Sequence, residues 1–140
     1  MSRESRRLAG IILVVVPSVM FGGMALLVHL VGRLPGYADN PLRQDLWRAG
    51  HAHAGVYLVL SLVMLRYVDE ARLSARARWV ARLGAPVAAI LLPAGFFLSV
   101  VSPASTSASA WLWLVYPGAA CLAAAVLTLG VGLIRASRAA

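Results

Sequence analysis

From Leu8 to Val31 the chain runs 24 residues without a formal charge, closed off by Arg6 and Arg7 on one side and Arg33 on the other. At about 1.5 Å rise per residue, a helix of that length extends roughly 36 Å, enough to cross a hydrocarbon core of roughly 30 Å with some tilt. The basic stretch before it resembles the start of a secretory signal. An h-region, however, spans only about 7–15 residues and ends at a small-residue cleavage site, whereas this run ends in Gly32-Arg33-Leu34-Pro35. It is therefore expected to be retained as a span.

The remaining residues repeat the pattern three times, at about 46–68, 80–101 and 110–134. The whole chain is 61% hydrophobic and 13% charged, with a mean hydropathy of +0.81. Soluble domains carry about 45–50% apolar and about 25% charged residues, so a water-soluble globule is excluded. The four tryptophans, Trp47, Trp79, Trp111 and Trp113, all fall at span ends, where aromatic side chains sit at a bilayer interface. The expected architecture is all-α: residues 1–140 as one domain, a four-helix transmembrane bundle in a cell membrane, of the kind found as small four-span proteins of the bacterial inner membrane.

A net charge of +8, carried by 13 arginines against five acids, would suggest a nucleic-acid partner in a soluble protein. Here it sorts by loop. Arg3, Arg6, Arg7, Arg66, Arg72, Arg76, Arg78, Arg82, Arg135 and Arg138 fall on one side; only Arg33, Arg43 and Arg48 fall on the other. The positive-inside rule then puts both termini in the cytoplasm and leaves nucleic acid without a role. The expected partners are the lipid bilayer and either a second copy or a larger membrane complex.

Small residues at close-packing intervals suggest helix contacts: Ser18, Gly22 and Ala25; Gly84 and Ala88; Ala119 with Ala123 and Ala120 with Ala124. Pro17, Pro86, Pro93 and Pro117 fall inside spans and predict kinks. Cys121 is the only cysteine, so no intramolecular disulfide can form. Asp39, Arg43, Asp45 and Arg48 read as a solvated ion-pair network at a helix start, and Asp69 with Glu70 as compensation for neighbouring arginines.

The three histidines are the chemical anomaly. His29 lies four residues before Arg33, while His51 and His53 lie four and six residues after Trp47, so all three fall at similar depth near the same membrane face. His29 shares a helical face with Ser18, Gly22 and Ala25, and so is expected to point inward. His53 shares a stripe with Tyr57, Ser61 and Met64, and His51 points about 200° away, beside Arg48 and Gly55. A lateral meeting of His29 with His51 or His53 would make a haem or transition-metal site, with Arg48 or Arg33 facing a propionate and Tyr57 supporting His53. The competing reading is that the imidazoles bond backbone carbonyls and fix helix register in a non-catalytic accessory or structural subunit. No Walker motif, nucleophile elbow, zinc-protease motif or dinucleotide fingerprint is present, and no catalytic residue can be named.

The segment Trp47-Arg48-Ala49-Gly50-His51-Ala52-His53-Ala54-Gly55-Val56 resembles helices of haem–copper oxidase and nitric oxide reductase type proteins. That resemblance covers ten residues and implies a ligand role for His51 or His53. The later histidine cluster of those oxidases has no counterpart, since the third and fourth spans contain no histidine. Arg48, Ala49 and His51 also resemble part of a helix in the membrane-associated eicosanoid and glutathione metabolism superfamily, which would imply a thiol- or lipid-modifying four-helix membrane enzyme. The Asn and Glu that usually follow in that family are absent here.

Overall fold

The structure, a computed structural model, describes residues 1–138, and among them it is entirely helical, with no strand. Four helices follow one another: α1 (Arg3–Val31), α2 (Pro41–Tyr67), α3 (Ala75–Ser99) and, after a 3-10 turn (Ala110–Leu114), α4 (Val115–Ser137). The first three begin at residues suited to the task. Ser2, Asn40 and Ser74 each accept a hydrogen bond from the backbone N–H three residues on, and Pro41 opens α2 at a position whose N–H has no partner in any helix.

These caps move the sequence-derived boundaries. Arg3, Arg6 and Arg7 belong to α1 itself, and α2 starts five residues before the apolar run that marked it. Pro17, Pro86 and Pro93 do fall in helix interiors. Pro117 instead lies in the first turn of α4, where its missing N–H costs nothing and no kink is required.

The helices pack in chain order, α1 on α2, α2 on α3 and α3 on α4, so α3 is central and α1 is the most exposed. α1, α3 and the run Ala110–Ser137 are long and apolar enough to cross a membrane. α2 has the length, with 27 residues, but its first half carries Arg43, Gln44, Asp45, Arg48, His51 and His53.

Packing at α3–α4 depends on glycine. A Cβ added to Gly84 would lie 2.5 Å from both the Ala125 Cβ and the Cys121 carbonyl oxygen, and one on Gly118 would lie 2.4 Å from Leu92. The buried stripe of α4 is Gly118, Ala125, Leu129 and Gly132. Ala119, Ala120, Ala123 and Ala124 are exposed, so the small-residue pairs read from the sequence mark the wrong face. On α1 the expected face holds at Gly22, which lies under His51 of α2, but not at Ser18. This helix meets α2 through Leu8, Ala9, Ile12, Val16 and Val19, with Ser18 exposed and donating to the Val15 carbonyl.

Candidate functional site

Two polar concentrations lie at opposite ends of the helices. At one end, the loop after α1 folds back as turns that bury Tyr37 to 2% exposure and hold Gly36 at a positive φ of 74° against Pro103. Arg43, on the first turn of α2, lies beneath this loop. Its guanidinium donates to the carbonyls of Gly36 (2.8 Å) and Val101 (3.0 Å), tying the first and third loops together, and stacks 4.0 Å over the ring of Trp47 one turn on. Asn40 adds bonds from its Nδ2 to the carbonyls of Pro103 and Ser105.

Arg43 is buried and among the described residues meets no carboxylate. Its Nε and the Trp47 Nε1 are buried donors that find no acceptor among the described residues. The expected exposed network therefore reduces to one pair, Arg48 with Asp45 at 2.8 Å, while Asp39 caps the turn by accepting from the Gly36 N–H. Arg43 belongs to the interior. Carbonyl oxygens and an indole face replace a counter-ion, which suits a planar guanidinium and would not suit a lysine.

The histidines extend from this cluster, each toward a different neighbour. His29 is half-buried, its ring 5.7 Å from Tyr37 and 6.2 Å from Trp47, with the aromatic contacts continuing from Trp47 to Phe97 at 6.0 Å. His51 sits over the glycine pair of α1: its Nε2 lies 2.8 Å from where a Cβ on Gly23 would be, and its Nδ1 3.9 Å from one on Gly22. His53 faces α3, 5.2 Å from Phe96, and stacks edge-on with Tyr57 at 5.4 Å. The ring neighbours of His29 are thus Trp47 and Tyr37.

Two imidazoles have a defined tautomer. His29 Nδ1 lies 2.6 Å from the Ala25 carbonyl oxygen and His53 Nδ1 lies 2.7 Å from that of Ala49. A carbonyl only accepts, so Nδ1 carries the proton in each, and a neutral ring keeps its lone pair on Nε2. The groove beside His53, lined by Ala52, Val56 and Tyr57, holds only about 180 Å³. Enclosed small-molecule sites begin at roughly 300 Å³. Among the described residues no group of three or more His, Cys, Asp or Glu side chains is placed to hold a metal ion. Arg48 is engaged with Asp45 and exposed, so it does not join the histidines.

The chain matches no protein-family model, no curated protein and no solved structure.

At the opposite end Arg82, with a side chain only 6% exposed, gathers the start of α1 and the turn after α2. Its Nε donates to Ser5 Oγ at 3.1 Å, and one terminal nitrogen donates to Ser2 Oγ at 2.9 Å and Asp69 Oδ1 at 2.8 Å. The second Asp69 oxygen accepts from the Ser2 backbone N–H at 2.6 Å. Burial alone would raise the Asp69 carboxyl, but the Ser2 N–H and the Arg82 guanidinium outweigh it and hold it at about 2, below the ordinary 3.8. Glu70 pairs with Arg66, as the sequence suggested. The burial of Arg82 escaped the sequence reading. The available signal was that Arg82 is the last arginine of α3 and lies beyond Trp79 and Val80, inside the apolar run.

Proposed function

We propose that the protein is a non-catalytic component of a cell membrane that crosses the bilayer four times with both termini in the cytoplasm. Its polar side chains serve its own helix packing, and its exposed apolar helix faces meet lipid, a second copy or a larger membrane complex. The observation that carries this reading is the use made of the three imidazoles: His51 sits between α2 and the glycines of α1, His53 between α2 and Phe96 of α3, and His29 against the loop and Trp47. Each fills a different seam, and Nδ1 of His29 and of His53 is spent on a helix carbonyl.

Four crossings are supported by where the polar groups of α2 go. Arg43 is buried, His51 is packed against Gly23, and His53 and Trp47 are packed against α3, so much of what lowers the hydropathy of α2 faces protein. Ten arginines at the end that holds both termini, against three at the other, support the orientation. Cysteine accessibility tests it: in a Cys121→Ala background, Ser105→Cys is labelled by a membrane-impermeant maleimide from outside the cell. Labelling only after the membrane is opened would overturn the topology.

A second reading, in which a haem or transition-metal ion is held by a histidine, is favoured by one observation: Nδ1 of His29 and of His53 is turned to a helix carbonyl, so Nε2 is the ring nitrogen placed to meet a ligand. Absorption spectroscopy with metal analysis separates the two.

A further inference from the structure

Between α3 and α4 an apolar groove of about 360 Å³ opens on the outer surface, lined by Trp79, Val80, Leu83, Gly84, Cys121 and Ala124. Its floor is the close approach of Gly84 to Ala125, which fixes the register of the two antiparallel helices. From that level Arg76 lies eight residues toward the start of α3, about 12 Å away, and Arg135 lies ten residues toward the end of α4, about 15 Å away. Gly132 of α4 packs on Leu73 and Ala71, in the turn that leads into α3, which brings the end of α4 close to the start of α3. Helical phase puts Arg76 on the stripe of Val80, Leu83 and Val87, and Arg135 on the stripe of Cys121, Ala124 and Thr128. Two guanidinium-bearing residues therefore stand at the charged end of one apolar groove.

The acids at this end are already engaged. Asp69 and Glu4 lie against Arg82, and Glu70 pairs with Arg66. Arg76 and Arg135 are exposed, and among the described residues neither forms an ion pair. We propose that this groove binds an anionic phospholipid, with one acyl chain lying along Val80, Leu83 and Ala124 and the headgroup phosphate between Arg76 and Arg135. Trp79 sits at the boundary between the two, the level at which indoles meet headgroups. Guanidinium groups pair with phosphate in a two-donor fork, and basic groups beside a membrane favour acidic over zwitterionic lipid. The inference rests on α3 and α4 as membrane helices and is independent of the role of the histidines.

Native mass spectrometry of the full chain released from detergent tests it, with phosphatidylglycerol and phosphatidylcholine of identical acyl chains as probes. The wild-type chain retains one phosphatidylglycerol in preference to phosphatidylcholine, and millimolar inorganic phosphate does not displace it. Arg76→Gln with Arg135→Gln weakens that retention about 25-fold, from about fivefold for each arginine, whereas Arg3→Gln with Arg7→Gln leaves it unchanged. Ala124→Leu, which fills the groove and keeps every charge, also lowers it. Equal retention of the two lipids, displacement by inorganic phosphate, or equal losses in the two arginine pairs would overturn the proposal.

Discussion

Arg82 of α3 and Asp69 of the preceding turn meet at 2.8 Å, and the same carboxylate accepts the backbone N–H of Ser2 at 2.6 Å. One largely buried ion pair, Arg82 enclosed and Asp69 part-buried, thus holds the start of α1 to the loop joining α2 and α3. A partnered buried charge is costly to orphan. Removing one member commonly costs about 3–5 kcal/mol, whereas replacing both by apolar groups is far milder. Asp69→Ala is expected to destabilise the protein by that order in a detergent unfolding titration, and Asp69→Ala with Arg82→Met by clearly less. Additive losses would show that the two do not act as a pair.

The same contact sets an acid limit. The Asp69 carboxyl is held at about 2 against an ordinary 3.8, so the folded state binds its proton less readily than the unfolded state. The stabilisation is complete above the ordinary value, on the order of 2 kcal/mol, and is lost as pH falls from about 4 to about 2. Unfolding midpoints measured over that range should fall in the wild-type chain and fall less in Asp69→Asn. Identical pH profiles would contradict the assignment.

His51 and Gly23 are expected to behave as a coupled pair. A methyl on Gly23 would lie 2.8 Å from the imidazole Nε2, so Gly23→Ala must push α1 or the ring aside. Overpacking of this kind costs about 1–3 kcal/mol. In His51→Ala the same substitution should cost much less, giving a coupling of roughly 1 kcal/mol or more in a double-mutant cycle. Additivity would place His51 elsewhere.

Arg43 and Arg48 test the correction at the start of α2. Arg43 bonds two loop carbonyls and stacks on Trp47, whereas Arg48 is exposed on one surface pair. Arg43→Lys should cost about 2 kcal/mol, because an ammonium cannot reproduce the planar fork, and Arg48→Ala less than about 0.5 kcal/mol. Thermal shift in detergent reads both, and equal effects would contradict the difference in burial.

Much of this fold was legible because the hydrocarbon length of a helix is written directly into its sequence: the run from Leu8 to Val31 gives α1 with little else needed. Caps were harder to see. Asn40-Pro41 starts α2 before its apolar run, because a cap is a local hydrogen bond and leaves no mark on hydropathy. Helix faces were the weakest inference. Ser18-Gly22-Ala25 and the alanines of α4 satisfy a small-residue spacing, but which face is buried depends on register against a partner, fixed here by Gly84 on Ala125 and by Leu8, Ile12 and Val16 on α2.

Among the candidate residues, phase alone put His53 and Tyr57 on one stripe of α2, where their rings meet at 5.4 Å. That His29 would meet Trp47 and Tyr37 could not be read, because it requires the path of the loop from Gly32 to Asn40. The burial of Arg43 had one sequence signal, its position one turn before Trp47, where a guanidinium can lie on the indole.

The most direct measurement is the absorption spectrum of the purified, detergent-solubilised protein, paired with metal analysis of the same sample. If the imidazoles of His29, His51 and His53 serve helix packing, the Soret region is empty, transition metals fall far below one per chain, and His53→Ala alters stability alone. A Soret band or bound metal near one per chain, lost in His53→Ala or His29→Ala, would contradict the account and establish the histidine end as a cofactor site.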